Sequence, residues 1–180
     1  MIYYVRHGET DFNLFNVSQG QLNTSLNKTG LQQAKEVAEK LKDYSFDYAV
    51  SSPLNRATQT AEYILAYHNL ELHTDDRLKE VAKGDLEGTK NPQWKYDEFF
   101  KDPHKFNGET DLDVYNRVSS FLKDLEKYKG KNILIVGHGE VLKYLRNILS
   151  KNEEDKKRLV LTRTENYKVM KNGDVEEIEF

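Results

Sequence analysis

Two kinds of apolar pattern alternate along this chain. Short unbroken runs, Ile2 to Val5, Phe46 to Ser51, Leu70 to Thr74 and Asn132 to Gly137, are β-branched or aromatic and read as buried strands. Between them the apolar positions recur at helical spacing. Leu31, Ala34, Val37, Ala38 and Leu41 form one such face, with Asn27 or Thr29 as N-cap and Thr29 with Gln32 as a capping box. Ala57, Ala61, Ile64 and Leu65 form a second, in a helix that Arg56 opens after the turn Ser52 to Asn55. Val114, Tyr115, Val118, Phe121, Leu122 and Leu125 form a third within Leu112 to Tyr128, and Glu140 to Leu149 is a fourth helix. The tail from Leu159 to Phe180 reads as strands around a turn at Asn172 and Gly173.

Strands alternating with helices imply right-handed crossovers and a mostly parallel sheet. The expected fold class is α/β, a three-layer α/β/α sandwich whose tail adds an antiparallel edge. Two stretches break the alternation. A polar loop from Asp11 to Lys28 is long for a compact domain, and such loops tend to be functional. Lys83 to Glu109 is irregular, with Pro92 and Pro103, and with Trp94, Tyr96, Phe99 and Phe100 interleaved with lysines. It reads as a lid-like helical excursion over the sheet edge.

A chain of 180 residues that is 37% hydrophobic suits one domain over 1–180 with one substantial core. The net charge of -3 comes without a basic stripe, so no nucleic-acid surface is expected and any bound anion must be met locally. The absence of cysteine excludes disulfides, thiolate metal sites and a cysteine nucleophile. With a strand beginning at Ile2 no leader is expected, and no run approaches the roughly 20 apolar residues of a membrane span. A cytoplasmic location, away from membranes, is the expectation; oligomeric state is not legible.

Candidate chemistry lies at two strand ends. The first strand stops at Arg6, His7 and Gly8, and the last parallel strand stops at Gly137, His138 and Gly139. Ligands in open α/β sheets bind at such carboxyl ends. Gly8 permits a sharp turn and a close approach to a ligand. Arg56 sits in the first turn of its helix, where the dipole disfavours a cation unless an anion is also present. Gathered around one pocket, Arg6, His7, Arg56 and His138 suit a tetrahedral dianion, because phosphoryl transfer needs mainly positioning and charge neutralisation. Neighbouring arginines would lower the histidine pKa and keep the nucleophile neutral, and a backbone carbonyl would fix its tautomer. The rival reading, two histidines as metal ligands, is weakened by the arginines, since a cation repels a cation.

The motifs resemble the histidine phosphatase superfamily, in its phosphoglycerate mutase-like branch, through most of the chain. They appear in order as Val5 to Thr10 with Asn13, Gln19 and Gly20; Ser51 to Ala61; Arg77 to Glu80 with Gly84, Glu87 and Gly88; Gly108 to Thr110; and Gly137 to Gly139. The resemblance implies a transient phosphohistidine on His7. It implies that Arg6, Arg56 and His138 hold the phosphoryl oxygens with Asn13, Gln19, Gly20 and the backbone N–H of Gly139, and that Glu80 is acid and base. Phe12, Asn27, Thr110 and Gly137 depart mildly from the pattern, Gly137 standing where a hydroxyl residue is often found. Glu140 beside the last motif disfavours some anions and favours a cationic or hydroxyl-rich leaving group. The implied activity is a metal-independent, cofactor-free phosphomonoesterase of the histidine acid phosphatase type, acting on a small phosphate monoester. Phosphoglycerate mutase is the alternative, and the family's mutases are typically longer over the pocket. A phospho-ligand-binding module without turnover is a third reading, against which His7 and Glu80 speak.

Overall fold

The computed structural model describes residues 1–90, 93–150 and 170–180, with the side chains of 93–96 excepted. Among these residues a sheet of five strands has the order β3-β2-β4-β1-β5. These are β1 (Ile2–Arg6), β2 (Tyr48–Ser51), β3 (Leu72–Thr74), β4 (Ile133–Gly137) and β5 (Val175–Ile178). The first four pair in parallel, and β5 runs antiparallel along β1 as the expected edge. The turn at Asn172 and Gly173 is present, with Gly173 at φ +76°. The expected strand preceding it lies outside the described residues, as does Pro92.

Both sheet faces are covered, which is why the central strands are unbroken apolar runs rather than alternating ones. On one face Val5, Ala49, Leu134 and Val136 pack under α2 (Lys28–Leu41) and α3 (Asn55–Leu65). On the other, Ile2, Tyr4, Val50, Ile133 and Ile135 pack under α5 (Asp111–Leu125) and α6 (Gly139–Leu149). The side-chain period of two sends neighbouring strand residues to opposite layers. The three-layer sandwich is thus observed.

Local chemistry sets the element ends. The polar loop contains a short helix, α1 (Asp11–Leu14), which Thr10 and Asn13 close with a capping box. Asn27, not Thr29, caps α2: its side-chain oxygen accepts from Gly30 N–H at 2.8 Å while its amide donates to Glu9 at 2.9 Å. Thr29 is the second residue inside α2 rather than its N-cap, so the expected box with Gln32 does not form. Gly8 meets a packing need, since a β-carbon there would lie 2.4 Å from the Gly30 carbonyl oxygen. The irregular stretch after Lys83 carries α4 (Gln93–Lys101) and two 3-10 turns, Gly84–Leu86 and Pro103–Phe106. Among the described residues, no helix is long and apolar enough to cross a membrane.

Candidate active site

Register places the chemistry. Arg6 pairs with Gly137 across β1 and β4, so the next residues, His7 and His138, emerge side by side at the carboxyl edge. Their ring centroids are 5.1 Å apart at an interplanar angle of 61°. On the other flank of β4, Ser51 pairs with Val136, which brings Ser52 alongside the His138 ring.

Both rings are held by oxygen atoms, and at His7 that partner decides the tautomer. His7 Nδ1 lies 2.7 Å from its neighbour's carbonyl, Gly8 O, which can only accept, so Nδ1 carries the proton and Nε2 keeps its lone pair. His138 Nε2 lies 2.8 Å from Ser52 Oγ, and that hydroxyl accepts from Leu54 N–H at 3.3 Å. With one lone pair used by Leu54, the Ser52 proton can be given to His138 Nε2, the tautomer in which Nδ1 carries the ring hydrogen. Both imidazole pKa values are pushed well below the ordinary histidine value, by burial first and then by Arg56. For His7 the sequence argument credited the arginines, whereas desolvation is the larger cause.

Arg56 is 1% exposed, and carbonyl oxygens rather than an anion satisfy much of its charge. It donates to Gly20 O at 2.9 Å and to Leu22 O at 2.8 Å, with Thr24 Oγ1 at 3.3 Å. Burial lowers its pKa to about 10, so it remains a cation at neutral pH. Arg6 donates to the Met170 carbonyl, and its guanidinium would lie 3.4 Å from a β-carbon at Gly139. Five buried side-chain polar atoms lack a hydrogen-bond partner among the described residues, and three of them are Arg6 Nε, Arg56 Nε and His138 Nδ1. Unsatisfied buried N–H groups are costly, so donors concentrated on three of the four predicted residues call for an acceptor-rich ligand.

Gln19 and Asn13 stand half-buried beside this cluster with their amide oxygens occupied. Gln19 Oε1 accepts from Thr10 at 2.8 Å and Thr24 at 2.7 Å, and Asn13 Oδ1 accepts from Thr10 N–H at 3.1 Å. Both amides are thereby oriented with NH2 left to donate. Gly20 acts through Arg56, which its carbonyl holds; at φ +49° its α-carbon packs against the Glu87 carboxylate. Glu80 follows a 3-10 turn, and its carboxylate accepts from Val81 N–H at 3.0 Å and Glu140 N–H at 3.4 Å. Burial, then the Glu140 charge, raises its pKa above the ordinary carboxylate value.

Several supporting residues had no role legible in the sequence. Ser52 orients His138. Gln21 and Arg117 donate to the Glu80 carbonyl at 3.0 and 3.2 Å, while Glu109 accepts from Arg117, from Ala82 N–H at 2.8 Å and from Gln21 at 3.4 Å. Lys83 is 4% exposed and donates to Glu140 at 2.7 Å. The signal for Ser52 was a hydroxyl residue directly after β2, since neighbouring parallel strands end at the same sheet edge and Ser52 lies level with Gly137, one residue short of His138. The others carry no periodic signal.

Residues 2–178 match the sequence model of the histidine phosphatase superfamily (branch 1). The chain is 40% identical over 139 residues to the Bacillus subtilis (strain 168) protein named uncharacterized phosphatase PhoE, covering 77% of this chain and 71% of that one. It is 36% identical over 162 residues to phosphoglycerate mutase-like protein 4 of Arabidopsis thaliana, covering 80% and 68%. A solved mycobacterial glucosyl-3-phosphoglycerate phosphatase in complex with VO3 superposes with a TM-score of 0.81 at 27% identity, over 97% of this chain and 88% of that one.

Proposed function

The chain belongs to the histidine phosphatase superfamily (branch 1), and from that premise we propose that it hydrolyses small phosphate monoesters, without a metal, through a phosphohistidine on His7. Phosphoryl transfer through a phosphohistidine is general to that family, and its phosphatases are well represented among this chain's relatives. The observation that carries the reading is the set of orphaned donors, Arg6 Nε, Arg56 Nε and His138 Nδ1, around a neutral imidazole whose Nε2 is left with its lone pair.

The steps follow from those groups. The two guanidiniums, the His138 N–H and the Asn13 and Gln19 amides hold the equatorial oxygens, while His7 Nε2 attacks phosphorus in line. As the P–O ester bond breaks, Glu80 gives its proton to the departing alkoxide. Its raised proton affinity keeps it protonated further towards neutrality than an ordinary carboxyl. Water then attacks phosphohistidine, Glu80 takes up its proton, and inorganic phosphate leaves with His7 restored. The cationic cradle itself disfavours a resident metal, because two guanidiniums at the imidazoles repel a cation.

The decisive assay supplies 3-phosphoglycerate with 2,3-bisphosphoglycerate and follows 2-phosphoglycerate against free phosphate. Hydrolysis predicts phosphate release, with little isomer formed. Fast isomerisation without release would make the protein a mutase, and binding without either product would make it a binding module.

A further inference from the structure

Glu140 is the second residue of α6, directly after Gly139, and its backbone N–H meets the Glu80 carboxylate at 3.4 Å. It therefore flanks the side of the pocket where the proposed acid meets the leaving alcohol. One of its oxygens accepts from Lys83 Nζ at 2.7 Å. The Lys83 side chain is 4% exposed, whereas that of Glu140 is 37% exposed, so Glu140 presents the accessible end of the pair. The ammonium also lies 4.7 and 4.6 Å from the ring centres of Phe99 and Phe100 in α4. A buried ammonium held by aromatic faces fixes the carboxylate it pairs with, because separating them would leave a buried charge uncompensated.

Apart from Arg6 and Arg56, which the phosphoryl group takes in the reading above, the cations nearby are committed. Lys83 is committed to Glu140, and Arg117 to Glu109 and to the carbonyls of Arg77 and Glu80. A leaving group that carries a carboxylate meets the exposed oxygen of Glu140 without a counter-ion among these residues. One that carries an ammonium or hydroxyl meets an acceptor.

We propose that Glu140, anchored by Lys83, is the specificity-determining residue for the leaving alcohol, selecting phosphomonoesters that bear an ammonium or hydroxyl group beside the ester carbon over those that bear a carboxylate there. The selection rests on the phosphatase reading above and adds a substrate class to it.

Three esters of nearly equal size differ only in that neighbouring group: O-phosphoethanolamine, ethyl phosphate and phosphoglycolate. Phosphate release at neutral pH is expected to give kcat/KM in that order, with about tenfold or more between the ends, the scale of one charge-assisted hydrogen bond. Glu140→Gln should collapse the ratio of phosphoethanolamine to phosphoglycolate by about tenfold. Lys83→Met, which strips the carboxylate of its counter-ion, should raise the ratio. A merely structural pair would lower all three esters together and leave the ratio in place, which would overturn the proposal. So would a wild-type protein that favours phosphoglycolate, a comparison that needs no variant to fold. Release of phosphate from none of the esters would instead overturn the phosphatase reading, and the selection with it.

Discussion

Tyr4 offers a sharp test of how the second histidine is held. Its hydroxyl donates to His138 O at 2.8 Å and accepts from His138 N–H at 2.7 Å, deep in the core. It occupies the space beside Gly137, where a β-carbon would lie 2.3 Å from the Tyr4 oxygen and 3.0 Å from its Cζ. Tyr4→Phe leaves the His138 N–H unpaired, while the carbonyl keeps Leu142 N–H at 3.2 Å, so the loss should be about 2 kcal/mol. Gly137→Ala must displace the hydroxyl and break the same bonds, costing about 3 kcal/mol through overpacking and the orphaned N–H. In the double variant the oxygen is gone and the N–H is lost only once. Its cost should be about 3 kcal/mol instead of the additive 5, a coupling of about 2 kcal/mol. Urea denaturation of the four proteins measures this directly. Additivity within about 0.5 kcal/mol would refute the claim that Tyr4 and Gly137 share one space.

Glu80→Gln should cost alkyl phosphates about 10²-fold or more and p-nitrophenyl phosphate much less, since a good leaving group needs little protonation, and it should remove the alkaline limb of the alkyl-phosphate profile. Equal losses on both esters would take Glu80 out of the acid role. His7 and His138 are held neutral in the fold, so below about pH 6.5 the unfolded chain binds protons that the native state does not. Stability should therefore fall as pH drops from 6.5, by up to about 2.7 kcal/mol per unit for two protons, and His138→Gln should shallow the slope. A flat urea midpoint between pH 7 and 5 would contradict the neutral pair. Vanadate, which adopts the trigonal bipyramidal geometry of the transition state, should inhibit, and EDTA should not. Chelator sensitivity would revive the metal reading.

Which parts of the site can be read without coordinates follows from where each residue sits. Arg6, His7 and His138 are legible because an apolar strand that ends on a charge is a visible discontinuity, and parallel register carries the two ends together. The sandwich is legible from the same runs, since continuous apolar strands need helices on both faces. Lys83 is not. In sequence it is one lysine among many at the start of an irregular segment, and its burial comes from Phe99, Phe100 and Glu140, contributed by α4 and α6. Gln21, Glu109 and Arg117 are likewise polar residues whose meeting at the Glu80 carbonyl is purely tertiary. Arg56 shows a sequence argument with the right residue and an incomplete cause. The helix dipole does disfavour a cation there, but the carbonyls of Gly20 and Leu22 meet it before any ligand does. At α2, Asn27 prevails over Thr29 because its amide reaches both the helix and Glu9.

The central claim is that phosphorus is transferred to His7 before it reaches water. Rapid mixing with a 32P-labelled phosphomonoester, an alkaline quench and peptide mapping read this directly. The account predicts a protein-bound phosphate on His7 that survives base, is lost in acid and is missing from His7→Ala. Steady release of phosphate with no labelled protein, or label on any other residue, would contradict it.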